Sequence, residues 1–94
     1  ISYQSNVETA MRIMEEAGRS QARVLSDPAP IAVIKAFADS GIDLELLLWI
    51  ADPEQGSAPL KSEVFKAIWR EFKANGVEIP YPQREIRVLK NPFA

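Results

Sequence analysis

The side chains of this sequence that could do chemistry are carboxylates, hydroxyls and amines. It contains no cysteine and no histidine, which removes the thiolate nucleophile, the disulfide and the commonest general base and metal ligand. Asp39 and Asp43 bracket a turn and could together hold a cation or share a proton. No third ligand or calcium-loop spacing accompanies them, and aspartate at a turn ordinarily bonds its own backbone, so they read as turn polarity. Asp52 and Glu54 belong to the polar loop "DPEQGSAP" and match no ligand pattern. Ser40 and Ser57 have no histidine to activate them. Gly41, Gly56 and Gly76 are too dispersed to cradle a phosphate. Lys61, Lys66, Arg70 and Lys73 run along one side of a helical stretch with Glu63 and Glu71 among them. They read as its solvated face, weighted toward the C-terminus where cations suit the helix dipole. No catalytic, metal-binding or cofactor-binding set emerges, and the chain is not read as an enzyme.

The remaining classes are bounded by composition. Ninety-four residues with 47% apolar side chains suffice for one small core. A net charge of −2 argues against a nucleic-acid surface, which ordinarily carries a basic excess. The longest apolar run, residues 46–51, has the length of a strand rather than of a membrane span. The chain opens at Ile1 with "ISYQS", which reads as the tail of a strand and marks the chain as a fragment of a longer protein.

The elements follow from periodicity. Ser5 or Asn6 can cap a helix in which Val7, Ala10, Met11, Met14 and Ala17 form the apolar stripe; Gly18 weakens it, and it ends near residues 19–23. Pro28 and Pro30 then force extension. Two strands are predicted over residues 31–38 and 42–51, joined by a hairpin at Asp39-Ser40-Gly41 with Gly41 in the positive-φ position. Residues 60–75 place Leu60, Val64, Phe65, Ile68, Trp69 and Phe72 on one helical face, so Trp69 is expected in the core, and Gly76 falls where a C-terminal cap belongs. In "VEIPYPQREIRV", Pro80 and Pro82 make a stiff extended step before a last strand over residues 84–89. The order strand, helix, strand, strand, helix, strand predicts one α+β domain over residues 1–94. Its expected form is a ferredoxin-like two-layer sandwich (βαββαβ), an antiparallel sheet with two helices on one face.

Trp49 carries more information than its neighbours. The even positions Ile42, Leu44, Leu46, Leu48 and Ile50 form one strand face, while the other runs Asp43, Glu45, Leu47, Trp49 and turns from polar to apolar. Only one sheet face meets the helices in a two-layer fold. Two readings stand for Leu47 and Trp49: a contact surface for another protein, or a pair covered by a loop or terminus of the same chain.

"SDPAP" before a strand, "LLLWI" within one and "IWREFKANGVEIPYPQREIRV" at the end together resemble the C-terminal cytoplasmic domain of MscS-type small-conductance mechanosensitive channels. The opening "ISYQSNVETAMRIMEEA" is similar to the segment that enters that domain. The resemblance covers nearly the whole chain and is sharpest over residues 72–83, where the glycine cap meets the spaced prolines. It implies a homoheptamer in the inner membrane that opens under tension and releases ions and small osmolytes on hypo-osmotic shock. This domain would lie on the cytoplasmic side, in the lower half of a portal-bearing cage, and would have no cofactor. Residues 84–94 would supply a terminal strand and tail, paired within the subunit or around the axis in an oligomeric barrel. Leu47, Trp49, Ile86 and Val88 are then the candidate interface, and Gly76, Pro80 and Pro82 the candidate hinge. The alternative is a small-molecule-sensing regulatory module on the same fold, which would need a polar pocket. An RNA-binding version would want aromatics among basic residues on central strands, where this chain is apolar or acidic.

Overall fold

A computed structural model of the chain describes residues 1–79 and 85–90. The first helix, α1 (Val7–Arg19), starts at Asn6, whose side-chain oxygen accepts the Thr9 N–H at 3.0 Å. Its stripe Ala10, Ile13, Met14 and Ala17 is buried. Gly18 near its end is buried too, and a Cβ there would meet the Pro30 ring at 3.1 Å. The glycine therefore lets the chain that precedes the first strand cross close to α1.

Strand β1 (Ile31–Phe37) and strand β2 (Ile42–Ile50) form the predicted antiparallel hairpin, in register Ile31 with Leu47 through Phe37 with Ile42, with an irregularity between Ile34 and Ala36. Ala38 N–H donates to the Gly41 carbonyl at 2.8 Å, and the Tyr3 hydroxyl donates to the Ala38 carbonyl. Gly41 was expected at positive φ but does not adopt it; among the described glycines Gly56 and Gly76 do. A four-residue loop is commonly built on a type I turn, whose central residues need no left-handed conformation.

The second helix, α2 (Ala58–Ala74), is entered through a single 3-10 turn at Pro53–Gln55. It ends in a Schellman motif: Val77 N–H donates to the Phe72 carbonyl at 2.9 Å and Gly76 N–H to the Lys73 carbonyl at 3.5 Å, with Gly76 at φ +70. Val77 and Phe72 both lie in the core, which supplies the hydrophobic contact that accompanies this motif. Strand β3 (Glu85–Lys90) then returns beside β2.

The two-layer α+β architecture matches the expected class, with a three-stranded sheet in the order β1-β2-β3 and two helices. Two details differ from the expectation. The sheet is mixed, because β3 runs parallel to β2, Glu45 with Glu85 through Ile50 with Lys90. The cause is the connection: a 17-residue helix lies between β2 and β3, and such a crossover brings the chain back to the starting end of the sheet. The opening residues form no strand. Instead Ile1 exchanges two hydrogen bonds with Ile42, each 2.7 Å long, and Ser2 N–H donates to the Glu78 carbonyl at 2.9 Å. Ile1 thus takes the edge of β2 opposite β1, just before β3 begins.

The core lies between the layers. Leu44, Leu46, Leu48 and Ile50 of β2 meet Met14 of α1 and Val64, Ile68 and Phe72 of α2. Trp69 does not join them, contrary to expectation; it is 53% exposed. The buried residues of α2 are Leu60, Val64, Ile68 and Phe72, spaced by four. Phe65 and Trp69 stand one residue, about 100° of helix, beyond that row. The row's other flank, at Ala67 and Glu71, faces α1 residues Ile13, Glu16, Ala17 and Ser20 across a groove. The aromatic flank therefore points away from α1 and into solvent.

Candidate functional site

The sequence directs attention to the odd-numbered face of β2. Leu47 and Trp49 are half-buried there, and Glu45 is only 8% exposed. The face is thus partly covered in the single chain. Register places Ile31 and Val33 of β1 beside Leu47 and Glu45, and half-buried Leu89 of β3 beside Trp49. Val88 pairs with Leu48, so it turns to the helix side, where it packs against the core. Ile86 pairs with Leu46 along the backbone; its side chain lies outside the described residues, as do Pro80 and Pro82. Of the proposed hinge, Gly76 stands in the helix cap, and no atom lies within 4 Å of a Cβ built on it.

The loop at residues 52–57 is held by a contact that no local pattern announces. Arg23 donates from Nε to Asp52 Oδ2 at 3.0 Å and Oδ1 at 3.2 Å, and from Nη2 to Oδ1 at 3.1 Å and to the Gly56 carbonyl at 2.7 Å. Next to it Leu25 N–H donates to the Trp49 carbonyl at 2.8 Å, and Val24 bridges to Ile50. The segment after α1 therefore continues the β1 edge of the sheet past the end of β1. Both edges of β2 are lined, by β1 and Val24–Leu25 on one side and by Ile1 and β3 on the other. Trp49 is thus bonded on both of its edges, and Arg23 ties the entry of α2 to the sheet.

Asp39 is exposed and Asp43 half-buried. Among the described residues no group of three or more carboxylates is placed to hold a metal ion, and no helix is long and apolar enough to cross a membrane. The surface instead presents large apolar side chains that sequence reading did not single out as exposed. Tyr3, Ile34 and Phe37 stand at the hairpin end of β1, and Phe65 and Trp69 on α2. The signal available for the helical pair was the one-residue offset from a row spaced by four.

The described residues present a packed two-layer core with aromatic side chains on its surface. The sequence matches the family model described as "Mechanosensitive ion channel MscS, C-terminal" over residues 1–79. The chain belongs to the MscS family. It is 28% identical over 86 residues to an uncharacterized MscS family protein of Archaeoglobus fulgidus, covering 92% of this chain and 30% of that relative. To an uncharacterized MscS family protein of Synechocystis it is 20% identical over 90 residues, covering 96% of this chain and 30% of the relative. This MscS domain thus spans about a third of the length of the curated relatives it matches. No solved structure matches it. The relation reaches through α1, the hairpin and α2, so the elements that build the core are the ones the family shares.

Proposed function

We propose that this chain is the assembly and cage domain, on the cytoplasmic side, of a homo-oligomeric mechanosensitive channel in the inner membrane. That channel passes ions and small osmolytes when the membrane is stretched by hypo-osmotic shock. The observation that carries the reading is the family match over residues 1–79, which falls on the described core. The domain contributes no reaction in this reading. It contributes Leu47 and Trp49 on the partly covered sheet face, the strand beyond the step that carries Ile86 and Val88, and a rigid link at Gly76, Pro80 and Pro82. A heptameric ring, with residues 84–94 contributing to a barrel at its axis, is the assembly this reading expects.

The test is electrical. The full-length protein, reconstituted in a bilayer patch, should show a conductance that opens with suction. A protein shown to be inserted but silent at tensions approaching patch rupture would remove the channel reading and leave the fold untouched. Osmotic downshock of cells that lack their own such channels, with and without this protein, checks the release of solutes directly.

A further inference from the structure

Two exposed apolar patches lie on opposite sides of the domain and are not used by its fold. The first is the outer flank of α2. Phe65 and Trp69 lie one turn apart, and the Lys73 ammonium sits 4.5 Å from the Trp69 ring centroid. Lys66 and Arg70 continue the same side of the helix, with Glu63 bonded to Lys66 at 3.4 Å. The flank is therefore aromatic with a cationic border. The second is the hairpin corner. Phe37, 71% exposed, stands at the last position of β1, with Ile34 on the same strand face. Exposed Tyr3 is tied to the same hairpin end by its hydroxyl bond to the carbonyl of Ala38, the residue after Phe37. Exposed Asp39 borders this corner at the turn, while half-buried Asp43 pairs with Ala36 and belongs to the other sheet face, and Lys35 lies at the strand irregularity.

Their placement is fixed by the packing. Helix α1 meets the start of β1 through Glu15, whose carboxylate accepts the Ala32 N–H at 2.9 Å. On its other side α1 meets α2, whose aromatic flank faces away. One patch is thus at the β1 side of the molecule and the other beyond α2. Isolated exposed apolar side chains are ordinary, but two clusters of large ones, one beside Lys66, Arg70 and Lys73 and the other beside Asp39, have the composition of an interface core and rim.

We infer that the occupant of each patch is the other patch on a second copy of this chain. Phe37, Tyr3 and Ile34 seat against Phe65 and Trp69, while Asp39 faces the Arg70 and Lys73 side of α2. Because the two surfaces differ and point opposite ways, the contact is head-to-tail. Such a contact closes into a ring when its rotation permits, and otherwise propagates. The inference rests on the proposed self-assembly and names the surfaces that carry it.

The absence of cysteine from this chain makes the test clean. In the full-length protein, with any cysteine elsewhere replaced by serine, Asp39→Cys and Arg70→Cys are made separately and together. The two single variants, co-expressed with different tags, should cross-link to each other with a short bismaleimide, and the double variant should give a ladder. Neither single variant alone should cross-link. Asp39→Arg should lower the assembled fraction about tenfold, since like charges then face each other, and adding Arg70→Glu should restore it. Self-cross-linking of a single variant, or no cross-link in a protein that light scattering shows to be assembled, overturns these surfaces and leaves the cage reading standing. A monomeric full-length protein overturns both.

Discussion

Arg23 and Asp52 form a bidentate pair between the segment after α1 and the loop before α2, 29 positions apart, with side chains 28% and 35% exposed. The guanidinium matches the carboxylate geometry and has a donor left for the Gly56 carbonyl. This one contact orders a polar loop that has no buried residue in its 3-10 turn.

Replacing Arg23 by alanine should cost about 1–2 kcal/mol, the worth of charged hydrogen bonds discounted for partial exposure. Arg23→Lys should recover less than half, because an ammonium cannot reproduce the fork. Urea unfolding followed by tryptophan fluorescence reads both. Equal stability of the lysine variant and the parent would show that charge alone, and not the forked geometry, holds the loop.

Phe72 and Trp69 separate what is core from what is surface on α2. Phe72 is 0% exposed among β2 and α1 side chains. Phe72→Ala should lose about 3–5 kcal/mol, a large share of the roughly 5–15 kcal/mol that holds a small domain together. Trp69→Ala should change stability by less than about 1 kcal/mol, as surface substitutions do. Thermal melts of the two variants side by side decide the matter; comparable losses would place Trp69 back in the core.

What could be read from sequence divides along the same line. Asn6 as cap, the α1 stripe, the hairpin and the glycine stop at Gly76 are local signals, each set by residues within a turn or two, and the structure carries them. The parallel course of β3 was not legible, because strand direction is decided by how the intervening helix crosses the sheet and not by anything in the strand. Trp69 was misplaced because a 3.6-residue period does not tell a row from its neighbour 100° away. The Arg23–Asp52 contact had no signal at all, since its partners meet only after both loops are folded.

The two glycines near helix ends should respond to alanine for different reasons. At Gly76 a Cβ meets nothing, but φ is +70, so Gly76→Ala should cost about 1–2 kcal/mol of backbone strain and Gly76→Asn less. At Gly18 the backbone is helical and alanine gains up to about 1 kcal/mol of propensity. That gain is opposed by a Cβ contact of 3.1 Å with Pro30 and 3.5 Å with Leu48. A proline ring cannot rotate aside, so Gly18→Ala should be destabilising overall by about 1 kcal/mol. A Gly18→Ala variant more stable than the parent in a denaturant titration would mean that the Pro30 segment yields freely.

Trp49 is the position at which folding and assembly are separable by measurement. Its neighbours Leu48 and Ile50 are buried in the core, while its own side chain is half-buried on the far face beside Leu47. A half-covered indole contributes packing within the chain and leaves surface for a contact outside it. Trp49→Ala should therefore lower the stability of the single chain by about 1–2 kcal/mol, well short of the roughly 3–5 kcal/mol of a fully buried tryptophan. The same change should weaken assembly of the full-length protein by a larger factor than Leu47→Ala, since aromatic anchors dominate interfaces. Sedimentation of the assembled protein and unfolding of the single chain, run on the same variants, give the two numbers. A loss in unfolding of the fully buried size, with assembly unchanged among molecules that remain folded, would make Trp49 a core residue and leave the aromatic patches of α2 and the hairpin as the contact surface.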